Sequence, residues 1–360
     1  MIRKVLLVFA VMLLVMCLAG CKGNPSKPEP DDKQYLVYFY RNCDYEDGYC
    51  NESPILLAYN PYTDVLDTFP LPVAPSGDLG IAPDGSVLYM PTESAVAVVD
   101  AKTQAVVTEL PYPEVHYVAV SGDGSMIALM SDSLTILKTS DYSLVYRDTV
   151  EVGLGSFSDD CGRFYYAGRE DIYMAACIVT LDSSLEKTCR LITGSTHAEY
   201  VWQFEPSKDE TKWFNYSEIG FERWVFGVID LSLDTSIFVH LLIPGLGEFE
   251  VTPDERYIFY TNPGGMIGSL PPPFQIYVYD VMENRLADSI GTLRVENDSV
   301  IEYLTGGDIA ITPDGKWLVA LTRYGGRAII VVDVTTREFV RYVDVGGGPY
   351  LFSATCQTRL

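Results

Sequence analysis

One short phrase recurs along the chain and restricts the possible folds more than any other feature: an apolar strand, a polar turn and a second apolar strand. The turn combines Pro, Asp and Gly in Ile81-Ala-Pro-Asp-Gly-Ser-Val-Leu-Tyr89 and in Ile311-Thr-Pro-Asp-Gly-Lys-Trp-Leu-Val319. Pro presets φ, Asp bonds its own backbone, and Gly takes the left-handed position. Related phrases stand at residues 120–128, 157–165, 204–209 and 251–259. The chain is therefore built from repeats.

The repeats have the length of β-propeller blades. The turn Asp residues are separated by 37 positions from Asp123 to Asp160 and by 60 positions from Asp254 to Asp314, a range typical of blades with loop insertions. A second phrase, an alternating strand that ends in an acidic turn, occurs at residues 96–100, 228–230, 276–280 and 329–333. The two phrases supply four strands per repeat, and no helical periodicity of useful length is present. We expect an all-β fold, a β-propeller of about seven four-stranded blades.

The two ends of this repeat array complement each other. Residues 347–356 align with residues 306–315, so the C-terminal segment supplies one more innermost strand. The N-terminal runs 35–40, 55–59 and 65–71 supply outer strands and lack an inner one. We therefore predict that pairing of the N- and C-terminal strands closes the propeller and removes open sheet edges. This counting gives seven blades, with six or eight as alternatives.

The first residues predict export and lipidation. Arg3 and Lys4 precede an uncharged apolar run, Val5 to Ala19, which is too short for a membrane span but suits a signal peptide. The run ends in Leu18-Ala-Gly-Cys21, which resembles the lipobox of bacterial lipoproteins. That resemblance implies a signal peptide at 1–20 and a lipid (palmitate) on Cys21. The polar, Pro-rich composition that follows predicts a flexible tether at 21–34, and the repeats place the propeller at 35–360. The lipobox resemblance also implies anchoring in the bacterial cell envelope. Because Lys22 follows the cysteine, the resemblance further implies the outer membrane if the host is Gram-negative.

The repeats themselves resemble the YVTN-type β-propeller repeat. The resemblance rests on phrases such as residues 96–107 and 329–349, and it covers most of residues 35–356, weakly between 155 and 245. Relatives in bacterial periplasmic and surface proteins include binding proteins and sugar-lactone hydrolases, so the resemblance implies a fold and no single function.

Charge and cysteines add two further expectations. The formal net charge of -24 repels polyanions, so nucleic acid is not expected as a partner, and we expect a soluble, monomeric propeller. An exported protein meets an oxidising compartment, so cysteines are disulfide candidates before they are metal ligands. Cys43 and Cys50 flank a polar loop, and Cys177 and Cys189 are equidistant from Ser183. These two pairs are the candidate disulfides, while Cys161 and Cys356 receive no pairing.

Chemistry is harder to find in this sequence. No nucleophile elbow, metalloprotease helix or phosphate loop occurs. Aligning the repeats by their turns places Asp78, Glu248 and Asp308 at the mouth of the central channel. His116 and His197 stand at the starts of predicted inner strands, on the face where propellers usually bind ligands, and complete the candidate site. Converging acids could hold Ca²⁺, as a lactonase-type hydrolase would need. Alternatively, they only satisfy loop amides.

Six aromatic residues cluster between positions 202 and 224 and form either an exposed platform or core packing: Trp202, Trp213, Phe214, Tyr216, Phe221 and Trp224. Our first hypothesis is a lipid-anchored binding or scaffolding protein, not an enzyme, that recognises a protein or glycan of the envelope. The alternative is a hydrolase with a divalent cation in the channel. No catalytic residue and no other cofactor or metal are assigned.

Overall fold

The computed structural model describes residues 34–359 with short gaps. The gaps are residues 42–44, 47–48, 51–53, 150–151, 159, 171–172, 192–197, 210, 220–223, 231–234, 244–248, 263–274, 292, 297–298, 304–305, 323–327 and 346–350. The predicted signal peptide, Cys21 and nearly all of the tether lie outside the described residues. The described part belongs to one compact unit, Tyr35–Leu360.

Six blades are each made of four consecutive antiparallel strands. Blade 1 contains β6 (Gly80–Ile81), β7 (Val87–Pro91), β8 (Val96–Asp100) and β9 (Ala105–Leu110). Blade 2 contains β10 (Tyr117–Val120), β11 (Met126–Met130), β12 (Leu134–Lys138) and β13 (Leu144–Asp148). Blade 3 contains β14 (Val152–Phe157), β15 (Arg163–Glu170), β16 (Tyr173–Thr180) and β17 (Lys187–Leu191).

Blade 4 contains β18 (Ala198–Pro206), β19 (Lys212–Ile219), β20 (Trp224–Asp230) and β21 (Thr235–Ile243). Blade 5 contains β22 (Phe249–Val251), β23 (Tyr257–Asn262), β24 (Gln275–Asp280) and β25 (Arg285–Gly291). Blade 6 contains β28 (Gly306–Ile311), β29 (Trp317–Thr322), β30 (Ala328–Asp333) and β31 (Glu338–Asp344).

A further four-stranded sheet, the terminal sheet, joins the two ends of the described chain. Its strand order is β32 (Leu351–Arg359), β1 (Gln34–Arg41), β4 (Ile55–Asn60) and β5 (Val65–Pro70). Two small hairpins complete the described elements, β2 (Tyr45–Glu46) with β3 (Tyr49–Cys50), and β26 (Leu293–Glu296) with β27 (Ser299–Tyr303). The second hairpin lies between blades 5 and 6 in the sequence and contributes to the longest repeat spacing, together with the segment 263–274.

The all-β propeller prediction is confirmed, whereas the blade count needs correction. Consecutive strands form six blades, not the seven expected. The difference arises because the strands assigned to the remaining blade come from both ends of the chain and form the mixed terminal sheet. This sheet contains the predicted outer strands of the N-terminal segment, β4 and β5, in antiparallel register from Ile55 opposite Pro70 to Asn60 opposite Val65.

The turn between the first and second strands of a blade is held by its own side chains. In blade 6 the Thr312 hydroxyl donates to the Asp314 carboxylate over 2.7 Å and accepts from the Trp317 N–H over 3.0 Å. Asp314 also accepts from the Lys316 N–H over 3.1 Å. Corresponding Ser or Thr and Asp pairs close four other blades: Ser121 with Asp123, Ser158 with Asp160, Ser207 with Asp209, and Thr252 with Asp254. The recurring Asp is therefore a structural cap of the turn.

The same turn needs one residue with positive φ. Gly85, Gly124 and Gly315 have φ values of 68°, 69° and 69°. In blades 3 and 5 the position is taken by Cys161 and Glu255, each with φ of 56°. In blade 3 the left-handed residue is therefore Cys161 and not the glycine that follows it, Gly162.

We expect Gly124→Ala to destabilise the protein by about 1–2 kcal/mol, because the left-handed backbone disfavours a Cβ. A Cβ on Gly124 would also lie 3.3 Å from Cδ of Pro83 in the neighbouring turn. Gly122→Ala is the matched control, since a Cβ there meets no atom within 4 Å. Urea denaturation of both variants measures the difference, and equal midpoints would contradict the role of φ.

Apolar contacts between the faces of neighbouring sheets form the core. Blade 5 packs on blade 6 through Phe259, Ile276 and Ile330, among others. Blade 6 packs on the terminal sheet through Ile329 and Val331, which contact a cluster containing Phe39 and Tyr59. The other face of the terminal sheet packs on blade 1. Blades 1 and 2, 2 and 3, and 4 and 5 share similar clusters. Blades 1, 2, 5 and 6 and the terminal sheet thus have apolar contacts on both faces.

One of the two predicted disulfides is confirmed. Cys177 and Cys189 lie directly opposite each other in β16 and β17, and their sulfur atoms are bonded. The hairpin turn between them sets this register, as the sequence symmetry predicted. Cys43 lies outside the described residues, so its pairing with Cys50 stays a prediction. No helix in the described part of the chain is long and apolar enough to cross a membrane.

Candidate functional site

The antiparallel order gives the propeller two distinct ends. Turns between the first and second strands, and between the third and fourth, lie at one end, which we name the turn face. The connections between blades lie at the other end, the connection face. Two of the predicted channel-mouth residues, Asp78 and His116, lie shortly before the first strands of blades 1 and 2, so they belong to the connection face.

The structure brings together two of the predicted site residues there. The Asp78 N–H donates to the His116 carbonyl oxygen over 2.7 Å, which joins the approach to blade 1 with the approach to blade 2. Their backbones are close because Gly77 lacks a Cβ, which would lie 2.3 Å from the His116 oxygen. The His116 N–H in turn donates to the Met130 carbonyl over 2.9 Å, and the imidazole is exposed.

The other predicted site residues are not positioned in the same way. Asp308 lies within β28, but its side chain is outside the description, and His197 and Glu248 fall in undescribed segments. Within the described residues, no three His, Cys, Asp or Glu side chains gather in a way that could hold a metal ion. The calcium site at the channel mouth therefore stays a prediction.

The aromatic cluster is core packing where it is described. Trp213 and Phe214 are 0% and 1% exposed. The Trp213 ring meets Tyr165 of blade 3 edge to face, with centroids 5.9 Å apart. This contact belongs to the interface between blades 3 and 4, so these two rings do not contribute to an exposed platform.

Two enclosed carboxyl groups were missed by sequence reasoning, Glu205 in β18 and Glu250 in β22. Both stand two residues before the Ser or Thr of the turn, where the other blades carry small residues: Gly80, Ala119, Ser156 and Ala310. The strand registers agree, since Glu205 is opposite Phe214 and Glu250 is opposite Phe259. An alignment of the repeats is enough to find this position, because four blades have a small residue there and blades 4 and 5 have Glu.

The environment of these carboxyls favours their neutral form. Burial raises the pKa of Glu205 from 4.5 to about 8, the charge of Glu255 adds to this, and the Val251 N–H opposes it by donating to the carboxylate. Burial and then the proximity of Glu205 also raise the pKa of Glu250 well above its ordinary value. Both residues keep a minor exposed fraction, so solvent reaches the edge of the pair. The two inner strands therefore hold protonated acids near neutral pH.

The Lys208 backbone crosses the same interface next to this pair. The Lys208 N–H donates to the Glu255 carboxylate, and its ammonium group donates to the Pro253 carbonyl over 2.7 Å. Together with the Val251 contact, these bonds make the edge of the interface between blades 4 and 5 polar.

We expect Glu205→Gln to raise the free energy of unfolding at pH 8 by roughly 2 kcal/mol relative to wild type. A carboxyl whose pKa is raised from 4.5 to about 8 stabilises the folded state fully below pH 4.5, and this contribution is lost as pH rises towards 8. Gln keeps an acceptor for the Val251 N–H and has no proton to lose. Chemical denaturation at pH 5 and pH 8 measures the change.

The exposed Glu109 provides the matched control for this variant. Glu109→Gln should shift stability equally at both pH values. Parallel pH curves for wild type and Glu205→Gln would contradict the assignment.

Solved structures with a similar fold differ widely in what they do. Kuenenia stuttgartiensis hydrazine synthase matches with a TM-score of 0.57 and 19% identity over 75% of this chain and 87% of that chain. Dihydro-heme d1 dehydrogenase NirN in complex with DHE matches with a TM-score of 0.54 and 16% identity over 88% and 74%. The β-propeller domain of Myceliophteria thermophila Cps50 (Swd1) matches with a TM-score of 0.54 and 12% identity over 76% and 88%.

No protein-family model and no curated protein matches the sequence. The YVTN-type resemblance therefore stays a prediction. At identities below 20%, the structural neighbours show a fold and nothing about activity. By these comparisons the chain is a β-propeller protein.

Proposed function

We propose that the protein is an exported lipoprotein, anchored in a membrane of the bacterial cell envelope through Cys21, whose propeller binds a protein or glycan partner. The Leu18-Ala-Gly-Cys21 sequence after an apolar run supports the anchor. The polar, Pro-containing segment that follows suits a tether, and the first described strand, β1, begins at Gln34. Two or more acyl chains on one cysteine give stable anchoring.

We also infer that the terminal sheet closes the ring of six blades. It packs on blade 6 through one face and on blade 1 through the other. Its inner strand β32 contacts β28 of blade 6, the arrangement that β10 shows with β6 and β14. A closed ring leaves both ends of the propeller as rigid surfaces built from loops, which are common sites of binding.

The hydrogen bonds that the turn Asp residues accept are the observation that favours binding over catalysis. Asp84, Asp123, Asp160 and Asp209 each accept bonds from hydroxyl and backbone groups of their own turn. These bonds hold the pKa of each of the four below its ordinary value. Such carboxylates are permanently charged caps and poor general acids or bases. The high acid content is thus explained in part by turn structure.

Labelling cells with a palmitate analogue tests the anchor. Wild-type protein should incorporate the label and sediment with membranes, because lipidation requires the Cys21 thiol. Cys21→Ser should lose both properties. Cys17→Ser is the matched control, since that residue lies within the predicted signal peptide, and it should behave as wild type. An unlabelled wild-type protein in the soluble fraction would overturn the proposal.

The hydrolase alternative has one observation in its favour, the close approach of Asp78 and His116 at the connection face. Elemental analysis of the purified protein in calcium-containing buffer tests it, with an Asp78→Ala, Asp308→Ala double variant. A binding module predicts the same calcium content for both proteins. Loss of one equivalent of calcium in the double variant, with the Asp67→Ala control unchanged, would favour the hydrolase and justify a screen of lactones.

A further inference from the structure

An open cavity of about 440 Å³ lies between the terminal sheet and blade 1. Its walls are mainly apolar and come from both sheets, with Leu36, Leu56 and Phe69 on one side and Leu88 and Val99 on the other. All of these residues are described and face the same interface. The volume falls within the range of small-molecule sites, which are typically apolar with a few polar groups.

The cavity lies at the turn face, opposite the predicted channel mouth. Asp84, Gly85 and Ser86 of the first turn of blade 1 contribute to it, as do Ala101 and Lys102 of the third turn. It is therefore separate from the region of Asp78 and His116.

The mixed origin of the terminal sheet explains why this interface is open. In blades 1 and 5 the first turn places a proline beside the glycine of the next blade, Pro83 near Gly124 and Pro253 near Gly315. The corresponding strands of the terminal sheet, β32 and β1, come from opposite ends of the chain and share no short turn. Beside Gly85 stands the Tyr38 hydroxyl instead, 3.6 Å from where a Cβ would be. The terminal sheet has no such turn, so the space that a proline fills at the other two interfaces stays open.

The charged side chains at the rim of the cavity favour a ligand with a positive charge. Among the described residues that line the opening, the charged ones are Asp67, Asp84 and a single cation, Lys102, and all three are exposed. Bonds from the Ser86 hydroxyl and N–H lower the pKa of Asp84 and keep it ionised. The rim therefore carries one excess negative charge next to an apolar wall.

We propose that this cavity binds a small amphiphile with an apolar body and one cationic amino head group. The apolar body would cover the leucine, valine and phenylalanine side chains of the wall. The ammonium group would stay at the rim between the carboxylates of Asp67 and Asp84. This inference does not depend on the anchor or on the partner proposed above.

Isothermal titration of the full chain with n-octylammonium and with n-octanoate tests both parts of the proposal. The two probes share an apolar tail length and differ in the sign of the head group. We expect octylammonium to bind about tenfold more tightly, which corresponds to about 1.4 kcal/mol. Equal affinities, or tighter binding of octanoate, would overturn the choice of a cationic ligand.

Variants locate the binding. Ala101→Trp fills the opening and should abolish octylammonium binding, whereas Met282→Trp adds the same ring to the corresponding turn of blade 5 and should leave it unchanged. Asp67→Asn, an exposed change that does not alter the wall, should weaken octylammonium several-fold, and Lys102→Met should strengthen it. Unchanged affinity in Ala101→Trp and Asp67→Asn, with thermal melts equal to wild type, would overturn the site.

Discussion

Apolar packing on both faces of a blade is the constraint on which the rest of the described architecture depends. Ile329, Ile330, Val331 and Val332 are consecutive in β30, and all are 0% exposed. Ile329 and Val331 contact the terminal sheet, while Ile330 and Val332 contact blade 5. A single blade would leave half of these side chains in water, so a blade is stable only between two neighbours. For the same reason the terminal sheet stabilises the fold, because it buries one apolar face of blade 1 and one of blade 6.

The polar groups needed by this arrangement are concentrated at the ends of the strands. Asp333 at the end of β30 accepts from the Thr335 and Thr336 N–H groups over 2.9 and 2.8 Å, and Arg337 then takes a positive φ of 60°. Asn60 and Asp280 act in the same way at the ends of β4 and β24. Turn amides that would otherwise lack acceptors are satisfied locally. These Asp and Asn side chains are therefore part of the fold.

The sequence was informative wherever a local rule decides the structure. Turn chemistry predicted the strands of each blade, and the symmetry around Ser183 predicted the Cys177–Cys189 disulfide, because both depend on residues close in the chain. It was less informative wherever distant residues decide. The burial of Trp213 depends on Tyr165 of another blade, and the left-handed position of Cys161 depends on which of two neighbouring residues the turn selects. The count of seven blades was wrong because it included the sheet that the two chain ends share, whereas the consecutive strands form six blades.

Two departures from the repeat pattern distinguish this propeller from one built of regular blades. Four blades have a small residue at one position of the first strand: Gly80, Ala119, Ser156 and Ala310. Blades 4 and 5 have Glu205 and Glu250 there, and burial raises the pKa of both carboxyl groups. Where blades 1 and 5 place a proline against the next turn, the terminal sheet leaves an open cavity. Both departures cost stability, because one encloses acids and the other leaves apolar surface uncovered. An array of repeats tolerates such costs because the apolar interfaces between the other blades remain intact. For that reason the positions that break the repeat, not the ones that obey it, are the places to seek what this protein binds.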